Sequence, residues 1–118
     1  MDAITKIKDA TTALDAFEKA AQRHADATES GDYKTANKCY AIIARAVKVL
    51  KEENEIGQLL KFLNHHSIGV QLWAASYILH VSEQDGIRTL ERISREKGIH
   101  SFTAETTLNE WRKGNLIL

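Results

Sequence analysis

Apolar residues recur at helical spacing through the first half of the chain. Between positions 10 and 27 they fall three and four residues apart, which places them on one face of a helix. These residues are Leu14, Phe17, Ala20, Ala21 and Ala25. The helix is expected to end at Gly31, because glycine readily takes the left-handed conformation there, and Asp32 is expected to cap the next helix.

A second long helix is predicted from about Asp32 to about Glu53. Its apolar stripe comprises Tyr33, Ala36, Tyr40, Ile43, Ala44, Val47 and Leu50. Because two long helices joined by so short a turn pack antiparallel, positions 1–53 are predicted to form a helical hairpin.

The second half of the chain changes to shorter apolar segments separated by breaks. Four short helices are predicted, over positions 56–63, 68–81, 87–93 and 102–111. Ser67 and Ser101 precede two of these segments, and serine is a good N-cap residue. Gly98 and Gly114 follow the last two segments, as left-handed glycines follow a helix end.

The four short helices look like two copies of one unit, at 55–81 and 83–114. A shift of 30 positions aligns Leu60 with Leu90, Leu63 with Ile93, Ala74 with Ala104 and Ile78 with Leu108. An alanine in the middle of a helix lets its partner helix approach closely. The segment LLKFLNHHSIGVQLWAASYIL resembles a HEAT-type repeat of the short variety. The expected fold is an all-α superhelix forming a single domain, 1–118.

The order of these segments resembles a small family of bacterial HEAT-like proteins of unknown biochemical activity. The resemblance covers roughly residues 12 to 115, and its most specific part is the closing motif SFTAETTLNEWRKG. Such proteins also resemble immunity proteins of the contact-dependent growth inhibition type, which block a bacterial toxin by binding it. The resemblance therefore implies a binding protein rather than an enzyme.

Composition narrows the class of protein further. The chain has 118 residues, 43% hydrophobic and 27% charged, with a formal net charge of zero, which is typical of a soluble globular domain. Zero net charge argues against a nucleic-acid ligand held by bulk charge. No apolar stretch approaches the roughly 20 residues of a membrane span, and charges interrupt the N-terminal residues where a signal peptide needs an apolar core. A cytoplasmic protein without membrane contact is expected.

Candidate catalytic and metal-binding residues are few. The five histidines show no i, i+4 pairing. His65 and His66 are adjacent in a predicted turn, and exposed turn residues are favoured over a metal half-site because adjacent side chains diverge. Cys39 lies in mid-helix, where neither a histidine nor a helix N-terminus lowers its pKa, so a packed thiol is favoured over a nucleophile. We expect no catalysis, no cofactor and no metal.

Local charge clusters suggest where a partner binds. Glu52, Glu53 and Glu55 follow one another at the end of the second long helix. They form either a solvated helix terminus or an acidic surface for a basic partner, such as the phosphate-binding face of a toxic nuclease. The basic stripe of Arg88, Arg92 and Arg95 is instead explained by pairs within its helix, such as Glu91 with Arg95.

The tryptophans Trp73 and Trp111 are assigned to core or inter-repeat packing. Their neighbours Gln71, Ser76, Asn109 and Glu110 are candidates for a solvent-facing groove, because one layer of helices lines the concave face in stacked repeats. The predicted partner-binding residues are Glu52, Glu53, Glu55, Gln71, Asn109 and Glu110. The leading hypothesis is an immunity protein that occludes a cognate toxin's active site. The alternative is a non-catalytic adaptor for another protein, and a small enzyme using His65, His66 or Cys39 is the least favoured.

Overall fold

The computed structural model describes residues 3–118, and every regular element in that range is helical. The α-helices are α1 (Ala10–Ser30), α2 (Tyr33–Glu52), α3 (Ile68–Ile78), α4 (Glu83–Ser94) and α5 (Ile99–Arg112), and the 3-10 helices are η1 (Ala3–Lys6) and η2 (Ile56–Asn64). The all-α prediction is therefore confirmed. Within residues 3–118, each helix is too short or too polar to cross a membrane. Contacts divide the chain into two compact units, Met1–Gln58 and Leu59–Leu118.

The first unit is built on the hairpin of α1 and α2. Asp9 caps α1, since its carboxylate accepts a hydrogen bond from the Thr12 N–H at 2.9 Å. Gly31 ends the helix at φ 76°, in the left-handed region that glycine enters without strain. Asp32 then accepts from the Thr35 N–H at 3.1 Å and starts α2. The predicted turn is confirmed, and it brings the two helices back antiparallel.

The side chains that α2 buries differ in part from those predicted for it. On α1, Phe17 and the predicted alanines are buried, and Leu14 is half-buried. On α2 the predicted stripe is partly wrong, because Tyr33 is 78% exposed, Tyr40 is 50% exposed, and Ala44 is exposed as well. The buried side chains of α2 are Cys39, Ile43, Ala46, Val47, Val49 and Leu50. Helical periodicity alone admits both stripes, because they overlap at Ile43, Val47 and Leu50.

The second unit places α4 against both α3 and α5, and α3 also contacts α5. Ser67 caps α3 as predicted, accepting from the Val70 N–H at 3.4 Å. Gly86 sets the approach of α4 to α3. A Cβ added there would lie 2.8 Å from Leu79 Cδ2 and 2.9 Å from the Ala75 carbonyl oxygen, so only glycine fits without movement.

Two of the expected helix boundaries in this unit are wrong. Ser101 lies inside α5, where its hydroxyl donates to the Gly98 carbonyl at 2.7 Å instead of capping the helix. Gly98 does not end α4, whose last turn closes at Arg95. It has φ 116° and immediately precedes α5, so its left-handed backbone serves the entry to that helix. Gly114 follows α5 at φ 75°, as predicted.

Burial supports three of the four pairs that the 30-residue shift aligns. Both members are buried in the pairs Leu63 and Ile93, Ala74 and Ala104, and Ile78 and Leu108. Leu60, however, is 41% exposed, whereas its counterpart Leu90 is fully buried. The two segments also differ in conformation, because η2 winds as a 3-10 helix and α4 as an α-helix. Superhelical stacking of two repeat units stays a prediction.

Candidate functional site

The two adjacent histidines are engaged in the turn before α3. The His65 Nδ1 accepts a hydrogen bond from the Ser67 N–H at 2.9 Å, and the His65 ring stacks on His66 with centroids 4.3 Å apart. His66 is exposed, as predicted for a turn residue, and His65 is half-buried. Across residues 3–118 there is no group of three or more histidine, cysteine or acidic side chains placed to hold a metal ion. The contacts of His65 give it a structural role at the start of α3.

Cys39 is a core residue of the first unit. Its side chain is 1% exposed, and desolvation by burial raises the pKa of the thiol above its ordinary value. A thiol with a raised pKa is protonated at neutral pH, and the thiolate is the nucleophilic form. Cys39 is therefore suited to packing, as the sequence indicated, rather than to covalent catalysis.

The predicted acidic cluster lies at the C-terminal end of α2. Glu52 and Glu53 are exposed, whereas Glu55 is half-buried and accepts a hydrogen bond from Gln58 Nε2 at 2.9 Å. A helix C-terminus carries the negative end of the helix dipole, so carboxylates there do not stabilise the helix. The helix dipole therefore gives no reason for Glu52 and Glu53 to be acidic.

A second surface of the first unit was missed by the sequence reasoning. One row of exposed side chains on α2 is named here the α2 outer face and consists of Tyr33, Asn37, Tyr40, Ala44 and Lys48, spaced three and four residues apart. Two aromatic rings thus project from one helix face, about 10 Å apart along its axis. Tyrosine is enriched at protein interfaces, because a rigid ring and a hydroxyl bind with little loss of conformational entropy. The available sequence signal was Cys39, because cysteine is among the most often buried residue types and its position shifts the apolar stripe of α2 away from the two tyrosines.

The remaining predicted partner-binding residues lie in the second unit, and they differ in exposure and in whether their polar groups are already hydrogen-bonded. Gln71 is half-buried in α3, where its amide oxygen accepts from Arg92 Nη2 at 2.8 Å and its amide nitrogen donates to the His65 carbonyl. Its polar group is thus committed to internal contacts. Asn109 is exposed and Glu110 is half-buried, both on α5. Ser76, another groove candidate, is buried and donates to the Leu72 carbonyl at 2.8 Å.

Both tryptophans are half-buried and contact neighbouring rings. Trp73 stacks on Tyr77 within α3, with ring centroids 6.1 Å apart. The Trp111 indole N–H donates to the Glu83 carboxylate at 2.7 Å, and its ring meets His80 edge-on at 5.0 Å. Trp111 therefore connects α5 to the start of α4, in keeping with a packing role.

The predicted ion pair between Glu91 and Arg95 within one helix is wrong. Glu91 accepts from Arg112 of α5 at 3.2 Å and so links two helices. Arg88 is paired within α4, with Asp85 at 2.9 Å. The Arg95 guanidinium has no hydrogen bond or ion pair within residues 3–118. Tertiary packing removes Glu91 from the pair that helical spacing favoured.

Comparison with known proteins supplies no relative for this chain. No protein-family model, no curated protein and no solved structure matches it. The surfaces that can carry a function are the α2 outer face, the acidic residues that follow it, and the arginines at α4.

Proposed function

We propose that this protein binds another protein without catalysing a reaction. The observation that carries the proposal is the exposure of Tyr33 and Tyr40 on the α2 outer face, at 78% and 50%. Both rings stay in contact with water in the free protein, so covering them in a complex gains hydrophobic free energy that folding has not used. The neighbouring Asn37 and Ala44 are small enough to let a partner reach both rings.

The class of partner rests on charge and on the family resemblance. We propose that the partner is a cognate bacterial toxin, a nuclease with a basic active-site face, and that this chain is its cytoplasmic immunity protein of the contact-dependent growth inhibition type. Glu52 and Glu53 would meet the basic face, because opposite charges steer the encounter and raise the association rate. The bound protein would then occlude the toxin's active site.

The first test is co-expression of the tagged protein with the product of the gene directly upstream. The expected result is a stable one-to-one complex and protection of the cells from that product. No complex and no protection would overturn the immunity proposal. A stable complex with a partner that is not toxic would instead support an adaptor.

Variants of the α2 outer face locate the contact. The double variant Tyr33→Ala/Tyr40→Ala should weaken the complex by at least tenfold, whereas Tyr33→Phe/Tyr40→Phe, which keeps both rings, should retain most of the affinity. Equal affinity of the alanine variant and the unmodified protein would exclude this face from the interface.

Charge reversal tests the acidic residues separately. Glu52→Lys/Glu53→Lys should slow association, most strongly at low salt, while Glu96→Lys/Glu105→Lys makes the same change in net charge at exposed positions of the second unit. An equal slowing by both double variants would show that net charge alone matters and would remove Glu52 and Glu53 from the proposed site.

A further inference from the structure

A cleft in the second unit is lined by arginine side chains. It encloses about 420 Å³ and is lined by Leu60, Leu63, Asn64, Asp85, Arg88, Thr89, Arg92 and Arg95; it is named here the arginine cleft. Arg88 and Arg92 lie on α4 and Arg95 is its C-cap residue. Their spacing of i, i+4 and i+7 places them on one side of the helix. One carboxylate, that of Asp85, lies among three guanidinium groups, so the cleft carries an excess of positive charge.

The three guanidinium groups are held to different degrees. Arg92 is oriented by Gln71, with 2.8 Å between Nη2 and the amide oxygen. Arg88 is oriented by Asp85, whose second oxygen already accepts from the Ser82 hydroxyl at 2.5 Å. Arg95 alone has no hydrogen-bonding or ionic partner for its side chain within the described residues. Two donors are thus positioned in advance, and the third is available to a ligand.

This arrangement is unfavourable for the helix in the absence of an anion. Like charges four residues apart destabilise a helix, and Arg88 and Arg92 have that spacing. The ion pair of Arg88 with Asp85 offsets part of this repulsion, but Glu91 does not contribute, because its carboxylate is paired with Arg112 on α5. An anion bound between the arginines would relieve it and would complete the hydrogen bonding of Arg95.

We propose that the arginine cleft binds a phosphomonoester group, a site that goes beyond the proposed toxin-binding function. Guanidinium forks match phosphate oxygens with paired hydrogen bonds, and a phosphomonoester carries close to two negative charges at neutral pH, which balances the excess in the cleft. Leu60, which is 41% exposed, and Leu63 supply an apolar wall for the carbon group that bears the phosphate. The volume exceeds that of a bare phosphate and falls within the range of small-molecule sites.

The experiment titrates the full chain with phenyl phosphate and follows the arginine side-chain N–H signals by NMR. Saturable shifts of Arg88, Arg92 and Arg95 are expected, with weaker binding of phenyl sulfate, which has the same shape and one charge fewer. Equal binding of the two ligands, or shifts that never saturate, would overturn the proposal. A phosphoserine peptide forms a second arm: tighter binding than phenyl phosphate identifies a phosphorylated protein as the source, and weaker binding identifies a small molecule.

Matched variants separate the site from general electrostatic attraction. Arg95→Gln should lower the affinity for phenyl phosphate about tenfold without disturbing the fold, since that side chain is exposed and makes no hydrogen bond or ion pair within the described residues. Lys97→Gln removes the same charge two residues away, outside the cleft, and should leave the affinity nearly unchanged. Equal losses in both variants would overturn the proposal. The titration needs no toxin, so its failure and the failure of the proposed function are distinguishable.

Discussion

The two units of this protein hold their helices in place by different means. In the first unit, α1 and α2 each begin at an aspartate, Asp9 or Asp32, that accepts a hydrogen bond from a residue three positions later. In the second unit, α4 and α5 begin without a side-chain cap. Their links run between helices instead, from Trp111 to Glu83 and from Arg112 to Glu91. Local capping therefore starts both α-helices of the first unit. In the second unit only α3 has such a cap, at Ser67, and α4 and α5 depend on contacts between helices.

The largest expected effect concerns burial of an aromatic ring. Phe17→Ala in α1 should lower the free energy of unfolding by about 3 to 5 kcal/mol, because the fully buried ring leaves a cavity. Phe102→Ala in α5, where the ring is 71% exposed, should change it by less than about 0.5 kcal/mol. Urea unfolding of both variants measures the difference. Similar losses would show that Phe102 is covered in solution, by a contact outside the described chain.

The next largest effect tests the close approach of α4 to α3. Gly86→Ala should lower the free energy of unfolding by about 1 to 3 kcal/mol, because the new methyl group collides with a backbone oxygen that cannot rotate away. The control is Gly57→Ala, where an added Cβ meets nothing within 4 Å. If both variants unfold alike, the helices are not in the close contact described.

A smaller effect is expected from the cap of α2, and it depends on pH. Hydrogen bonds from the Thr35 hydroxyl and N–H hold the pKa of Asp32 below its ordinary value of 3.8. Because the folded-state pKa is the lower one, the stabilisation is present above about pH 4 and is lost as the pH falls through the folded-state value. Asp32→Asn keeps the cap without the titration, so its unfolding midpoint should vary less between pH 5 and pH 2. Identical acid profiles would contradict this role.

The smallest effect concerns the link between α4 and α5. A double-mutant cycle of Glu91→Gln and Arg112→Gln should give a coupling of about 0.2 to 1 kcal/mol, since both side chains are about half exposed. Added salt should reduce that coupling. A coupling of zero at low salt would mean that this ion pair does not help to join α4 and α5. It would contradict the role given above to links between helices in the second unit.

Much of the fold could be predicted, and the candidate surfaces much less. The turn at Gly31 and Asp32 and the start of α3 at Ser67 were readable because each depends on residues within four positions. The exposure of the α2 tyrosines could not be predicted in this way. Periodicity is equally compatible with a helix rotated by a fraction of a turn about its axis, because the rotation changes no interaction within the helix. Which of the two overlapping stripes is buried depends on the side chains of α1 that face it.

The all-helical chain, the number and order of its main helices, and the first turn all follow from local sequence, because capping and helical periodicity act over a few residues. The partners of several polar side chains, in contrast, depend on how the helices pack. Glu91 pairs with Arg112 instead of Arg95, and Gln71 turns inward to Arg92. Each of these contacts joins residues about 20 positions apart. The free-energy difference between one exposed polar partner and another is small, so the packing of the helices, which contributes more free energy, selects the partner.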